Sequence, residues 1–504
     1  MIFKNFTKVL FCLIFSVLFS GCDFLSLNFT SGDIDFTDFP KNNSADFFEN
    51  EKTYEKGDKA SFYISVKSNL ESKDFCADFV LKESGEYCNV WCVEKDSAYM
   101  MKNPLSSYVF TQVREKFDEI YPVQIQIFGD NKFSDSNWSN LLQNYNGKVN
   151  ILIYDIANDA CESQTGGVYG FFHSLDFYTD SNYSNKTECI NVDSFFFNKD
   201  TEGSFQTLFH EFQHLENFVN KVVLSSNDRS VSTWYNEMLS MLSEDIFTDL
   251  LGIALENAPA NRLNFFNAYY PLGFYQWRSG SDYFPSGDVY ISYANSYAFG
   301  AYLLRNFGGI ELIKEICQND FVDEESITNA LKSVGYDFTF SDVLLNFYQI
   351  LFENESYSLN KKFSDDSFGC KLKIKAIDLK KFPATKEIPY FVYDNATLYP
   401  SKKFPVSAYS FSVYKNPYGY SVNDVQKNEN LDYKVISSNS SSYLIKTNAT
   451  TLDISQENSG YFDLYKVFSE EKESRRLCSE IYPLSENHVK RVEPVFSDKE
   501  LLLK

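Results

Sequence analysis

Only four histidines occur in the 504-residue chain, His173, His210, His214 and His488, and two of them stand in the pentapeptide His210-Glu211-Phe212-Gln213-His214. In a chain this poor in histidine, an HExxH arrangement is expected by chance roughly 0.002 times. The spacing calls for a helix, because positions i and i+4 stack on one helical face and let two imidazoles reach a single metal ion. The surrounding residues agree: Phe205, Leu208, Phe212, Leu215 and Val219 make an i, i+3/4, i+7 apolar stripe, which Phe209 and Phe218 widen. That stripe buries one side of the helix and leaves the histidines on a neighbouring face, toward a cleft.

Glu211 lies about 100° around the helix from His210, so it need not ligate a metal and can face a metal-bound water instead. Two histidines, a third ligand and one water form the open tetrahedral site in which zinc lowers the pKa of its water to about 7. Glu211 would accept that proton and pass it on to the leaving nitrogen. For the third ligand the next helical stretch, Trp234-Tyr235-Asn236-Glu237-Met238-Leu239-Ser240, offers Glu237 after a polar turn at residues 225–229. Ser240 is small enough for the two helices to approach closely. Glu244 and Asp245 follow about two turns on, where a carboxylate can accept the outer N–H of a ligating histidine. Either could equally be a solvated charge, Asp245 somewhat more so than Glu244.

Around this pair of helices the pattern alternates between strand and helix. Phe62, Ile64 and Val66 alternate as in a strand, Tyr87 to Val93 reads as another, and Val149 to Tyr154 as a buried one. Val109 to Tyr121 has helical spacing. Further helices are expected near 204–222, 232–252, 294–306, 309–318 and 341–353. Beyond residue 371, short aromatic and β-branched runs separated by Asn, Ser, Pro and Gly indicate a separate β domain, with strands near Tyr390–Tyr393, Ala408–Tyr414, Tyr433–Ser437 and Tyr443–Lys446. The expected fold class is α+β, with 57–86 a small β-rich segment, 87–365 the catalytic domain and 371–504 the C-terminal all-β domain. Lys+Arg of 46 against Asp+Glu of 69 gives a net charge of −23, a field that repels phosphate backbones, so nucleic acid is not an expected partner.

The N-terminus reads as an export signal over residues 1–21: Lys4 and Lys8, then the apolar run Val9 to Phe19, too short to span a bilayer. The run ends in Phe19-Ser20-Gly21-Cys22, which resembles the lipobox of bacterial lipoproteins, with Phe19 where leucine is usual. That resemblance implies lipidation at Cys22, a flexible tether over 22–56 and a place in the bacterial cell envelope; unmodified, the chain would be secreted. Cys12 leaves with the signal and Cys22 takes the lipid. An even number then remains, Cys76, Cys88, Cys92, Cys161, Cys189, Cys317, Cys370 and Cys478, and export permits disulfides. Cys88 with Cys92 and Cys161 with Cys189 are short-loop candidates; free buried thiols are the alternative.

Across residues 87–355 the chain resembles the hyicolysin family of glutamate-ligand zinc metallopeptidases. The resemblance rests on His210-Glu211-Phe212-Gln213-His214-Leu215 with Asn217-Phe218, on Trp234-Tyr235-Asn236-Glu237, and on Ser184-Asn185-Lys186-Thr187-Glu188. Gly166-Gly167-Val168-Tyr169-Gly170-Phe171-Phe172 and Tyr293-Ala294-Asn295-Ser296-Tyr297 are similar as well. It implies a zincin-like catalytic domain, a mixed sheet with a helical subdomain, and one Zn2+ held by His210, His214 and Glu237 with Glu211 as base. The chain departs from thermolysin-like relatives in having Met241 where an acidic residue follows the glutamate.

A peptidase also needs a donor to the tetrahedral oxyanion. By its position Tyr293 resembles the tyrosine of related enzymes, with Tyr297 one turn later as a substitute and His173 a weaker candidate. If Glu188 to Val192 formed the sheet edge, substrate would bind there as an extended strand. Neither a GxSxG elbow nor a Walker-type loop is present. The expected activity is therefore a surface-tethered zinc endopeptidase acting on extracellular protein. The alternative is a non-catalytic surface lipoprotein, an adhesin or binding module that keeps the fold.

Overall fold

The computed structural model describes residues 47–66, 75–96, 98–133, 140–142, 145, 147–164, 167–225, 230–277, 288–353, 356–357, 372, 374–378, 382, 391–392, 406–415, 421–424, 427–438 and 441–454. The signal, Cys22, most of the tether, Cys370, Cys478 and His488 lie outside them.

The sheet is built outward from its most apolar strand. Six strands, β1 (Lys59–Ile64), β2 (Phe75–Ser84), β3 (Cys88–Val93), β4 (Val149–Tyr154), β5 (Gly170–Phe172) and β6 (Cys189–Asp193), form one mixed sheet in the order β1-β2-β3-β4-β6-β5. The central β4 is buried at every position, as a strand covered on both faces must be. It runs parallel to β3 and to β6, whereas β1, β2 and β3 pair antiparallel as a meander. Residues 57–86 thus contribute β1 and β2 to the edge of this sheet.

Strand β6 is not the sheet edge that the sequence reading placed there. The three-residue β5 pairs with it antiparallel, Gly170 opposite Val192 and Phe172 opposite Ile190. So short a strand, carrying a glycine, gives little periodic signal in the sequence.

Among the described residues, seven helices of ten residues or more position the rest: α1 (Ser107–Phe128), α2 (Thr201–Phe218), α3 (Thr233–Leu251), α4 (Asp288–Leu303), α5 (Gly309–Gln318), α6 (Asp323–Ser333) and α7 (Phe340–Glu353). The first was expected to stop at Tyr121 but runs on through Pro122 to Phe128. Asp193 closes β6 and accepts hydrogen bonds from Phe195 N and Phe196 N at 2.8 and 3.2 Å. Asp200 then caps α2 through Gly203 N at 3.1 Å. Helix α2 widens into a π-turn at Val219–Val223, and Gly252, left-handed at φ 73, ends α3. The stripe expected on α2 is real: Phe205, Leu208, Phe212, Leu215 and Val219 are all buried. Phe212 packs on Phe117 and Tyr121 of α1, with ring centroids 5.0 and 5.5 Å apart.

The C-terminal strands form separate small sheets. β7 (Ser356–Tyr357) and β8 (Ile377–Asp378) make a short ladder. β9 (Phe391–Val392), β10 (Ser410–Lys415), β11 (Asp432–Ser438) and β12 (Ser441–Asn448) associate in the order β11-β12-β10-β9. Phe411 stacks on Tyr348 of α7 at 3.6 Å, so this sheet shares an aromatic layer with the helices.

Neither proposed disulfide forms. Cys88, Cys92, Cys161 and Cys189 are in no disulfide, nor are Cys76 and Cys317. Cys88 and Cys92 sit four residues apart on one strand, about 13 Å at ~3.3 Å per residue, far beyond disulfide reach. Cys88, Cys189 and Cys317 are buried thiols that pack as small hydrophobes, Cys76 and Cys92 are half-buried, and Cys161 is exposed.

Candidate metal centre

The site lies where α2 crosses α3. On α2 the rings of His210 and His214 stand one turn apart with centroids 4.7 Å from each other. One nitrogen from each and a carboxylate oxygen of Glu211 lie within 4.8 Å of one another. Glu237 reaches across from α3: its Oε2 is 3.1 Å from His210 Nε2, and its Oε1 is 3.5 Å from His214 Nε2. Both inner nitrogens thus face the two oxygens of a single carboxylate, as the sequence reading required.

The outer nitrogens are engaged separately. His210 Nδ1 lies 2.7 Å from Glu244 Oε1. His214 Nδ1 lies 3.0 Å from Ser240 Oγ, whose hydroxyl donates to Gln213 Oε1. An Nδ1–H that donates outward leaves an Nε2 lone pair pointing inward, the tautomer a metal ligand needs. Ser240, read from sequence only as a spacer, therefore also orients His214. Arg262, which the sequence reading missed, holds both oxygens of Glu244 at 2.9 and 3.2 Å. Sequence signalled it only as an isolated basic residue between short helices, a pattern without specificity.

Asp245 is not a solvated charge. Arg305 grips it at 2.8 Å through each terminal nitrogen, and Tyr297 donates to it at 3.0 Å. Tyr297 is thereby committed to a structural ion pair, which removes it as a substitute oxyanion donor. Tyr293 is buried on α4, its ring edge-on to Trp277 with centroids 4.8 Å apart. His173 is buried too and caps a short 3-10 turn, its Nδ1 accepting from Leu175 N at 3.1 Å.

Glu211 is fully buried between the helix and the edge strand. Its Oε2 accepts the N–H of Phe172 at 2.9 Å, while its Oε1 accepts no hydrogen bond from the described residues. Gly170 lets this edge strand lie close to β6 and α2: a Cβ there would lie 2.8 Å from Asn191 O and from Thr207 Cγ2, too close to keep, and 3.4 Å from Glu211 Cγ, an ordinary contact.

Burial raises the Glu211 pKa, opposed by the neighbouring imidazoles. Burial pushes Glu237 the same way, but the charge of His214 and the bond from His210 outweigh it and hold its carboxyl at about 2. For His210 burial favours the neutral ring, yet the bonds to Glu237 and Glu244 prevail and raise it to about 10. The pocket thus stabilises positive charge between the rings and Glu237.

The donor set fits a divalent metal. Two imidazoles and one carboxylate are the ligands of an open zinc site. His214 Nε2 is buried without a hydrogen bond from the described residues, as an atom reserved for another partner would be.

Comparison with known proteins agrees. The profile of the family described as Peptidase M30 matches residues 82–356. The neutral metalloprotease ShpI of Staphylococcus hyicus is 28% identical over 291 residues, 56% of this chain and 60% of ShpI. The match therefore spans less than two thirds of that relative's length.

Proposed function

The chain belongs to the Peptidase M30 family, and from that premise we propose that it is a zinc-dependent endopeptidase, exported and tethered by a lipid on Cys22, that hydrolyses extracellular proteins. The observation that carries this reading is the meeting of His210 Nε2, His214 Nε2 and both Glu237 oxygens, with Glu211 one residue along the same helix. The similarity to ShpI, named as a metalloprotease, supports it.

In this reading His210, His214 and Glu237 hold the ion. Zinc bound there supplies Lewis acidity toward the scissile carbonyl and toward a water molecule. The remaining work belongs to the chain. Glu211, pinned through Oε2, has Oε1 available to take a proton from the attacking water and to return it to the amide nitrogen as the C–N bond breaks. Its raised pKa suits a group that must both accept and release a proton near neutrality. The outer edge of β5, beside Glu211, offers a place for an extended peptide, in place of the β6 edge expected from sequence. Tyr293 is assigned as the donor to the oxyanion.

No helix among the described residues is long and apolar enough to cross a membrane. The test is zinc content and casein cleavage of the wild type and Glu211→Gln. The expected outcome is one zinc per chain in both, with cleavage reduced about 10²–10⁴-fold in the variant. Undiminished cleavage by Glu211→Gln, or a zinc-loaded wild type that cuts no protein, would refute the proposal.

A further inference from the structure

Adjacent residues of α3 carry carboxylates, Glu244 buried and Asp245 largely so, and each is met by a buried arginine from a different element. Glu244 is held by Arg262, from the short 3-10 turn Pro259–Arg262, and Asp245 by Arg305, from the π-turn that follows α4. The two ion pairs are alike in burial and in their two-pronged geometry. They differ in what stands behind the carboxylate: Glu244 contacts His210 at 2.7 Å, whereas Asp245 contacts the hydroxyl of Tyr297 at 3.0 Å.

We propose that Arg262 is a positioning residue of the metal centre, fixing Glu244 so that Glu244 in turn fixes the His210 ring; this inference rests on the metallopeptidase reading above. Glutamate has three side-chain torsions, so a lone hydrogen bond to an imidazole leaves both partners freedom to turn. A planar guanidinium that binds both oxygens removes it, and a lysine, with a single point charge, would not. Arg262 also provides the countercharge without which a carboxylate this deeply buried is strongly destabilising.

Arg262 is itself held by the helix it serves. Glu202, in the first turn of α2, accepts Ala254 N at 3.0 Å and Asn257 Nδ2 at 2.6 Å, and Gln206 donates to Asn257 O at 3.2 Å. The N-terminal half of α2 thus anchors the segment that delivers Arg262, and Arg262 returns through Glu244 to His210 two turns further along. The Tyr297 ring lies 5.9 Å from the guanidinium carbon and closes its other side.

Arg305 provides the control. Zinc affinity, from competition with a chromogenic chelator, and thermal stability of the metal-free protein are measured for wild type, Arg262→Gln, Arg262→Lys and Arg305→Gln. Arg262→Gln is expected to bind zinc about 10–100-fold more weakly, the loss typical when a partner behind a ligand is removed. Arg262→Lys falls between it and wild type. Arg305→Gln loses thermal stability but keeps wild-type affinity. The visible spectrum of the cobalt(II)-substituted protein, which reports ligand geometry, shifts in Arg262→Gln and not in Arg305→Gln. Wild-type affinity in Arg262→Gln, or an equal loss in Arg305→Gln, overturns the inference. Should Arg262→Gln fail to fold, Arg262→Lys carries the test, and wild-type affinity and spectrum there overturn it. A wild type whose zinc uptake survives His210→Ala overturns the metal-centre reading itself, which separates the two failures.

Discussion

Helix α2 has buried carboxylates on both of its sides, and their surroundings are opposite. Toward α3, Glu237 and Glu244 face imidazoles and a guanidinium, and both are held below the ordinary carboxylate range although burial opposes it. Toward α1 and β6, Glu216 and Glu188 accept side-chain hydrogen bonds from amides, and the charge of Lys132 near Glu188 does not offset its burial. Gln124 Nε2 donates to Glu216 at 2.9 Å and Asn131 Nδ2 to Glu188 at 2.6 Å, and burial drives both carboxyls well above their usual pKa. The same residue type at the same depth is thus ionised on one side and driven toward the protonated form on the other. The cost of burying a carboxylate is met either by a matching charge or by a proton, and only the first arrangement prepares a site for a cation.

Three substitutions probe that contrast. The largest effect is expected from Glu237→Gln, which keeps the shape and removes the charge the two imidazoles share. Its zinc affinity, by chelator competition, should fall beyond the roughly 10–100-fold typical of partners behind the ligands. Retained affinity would show that Glu237 is no ligand and that the two sides differ less than the geometry implies. Next comes Gly170→Ala, which places a methyl against Asn191 O, Thr207 and Glu211. We expect a loss of about 1–3 kcal/mol in urea unfolding together with slower cleavage, since the clamp on Glu211 must shift. An unchanged midpoint would mean the edge strand yields.

The smallest effect is expected on the far side, from Glu188→Gln. A carboxyl whose folded pKa is raised contributes most below its ordinary value of 4.5, and that contribution is lost as pH rises from there toward the folded value. Glutamine does not titrate. The variant should therefore match wild type near pH 4 and exceed it by ~1 kcal/mol or more at pH 7 to 8, as followed by thermal unfolding. A difference constant with pH would place an ionised Glu188 on the same footing as Glu237.

These contrasts were unevenly legible in the sequence. The α2 stripe, the shared face of the two histidines and the placement of Glu237 opposite them were readable because each depends on periodicity within one helix or on the helix that follows it. The parallel β4 was readable because a strand covered on both faces must be apolar throughout. The edge strand was misplaced onto β6, since strand order follows from which segments fold back on one another and Gly170–Phe172 is too short to show alternation. Asp245 was read as more solvated than Glu244 because its partner, Arg305, comes sixty positions later, from an element whose approach no local pattern encodes.

What the sequence determined by itself is therefore the chemistry on offer: two imidazoles on one helical face, a glutamate beside them and a carboxylate on the helix that follows. Tertiary structure alone decided how those groups are held. The crossing of α2 over α3 chose Glu244 over Asp245 for one outer nitrogen and gave Ser240 to the other. The short turn at Pro259–Arg262 brought in Arg262, and the pairing of β5 with β6 carried Phe172 N to Glu211. The physical reason is range. Helical periodicity acts over a turn or two and is written in adjacent residues, whereas the charge state and orientation of a buried group depend on whatever distant segment packs against it.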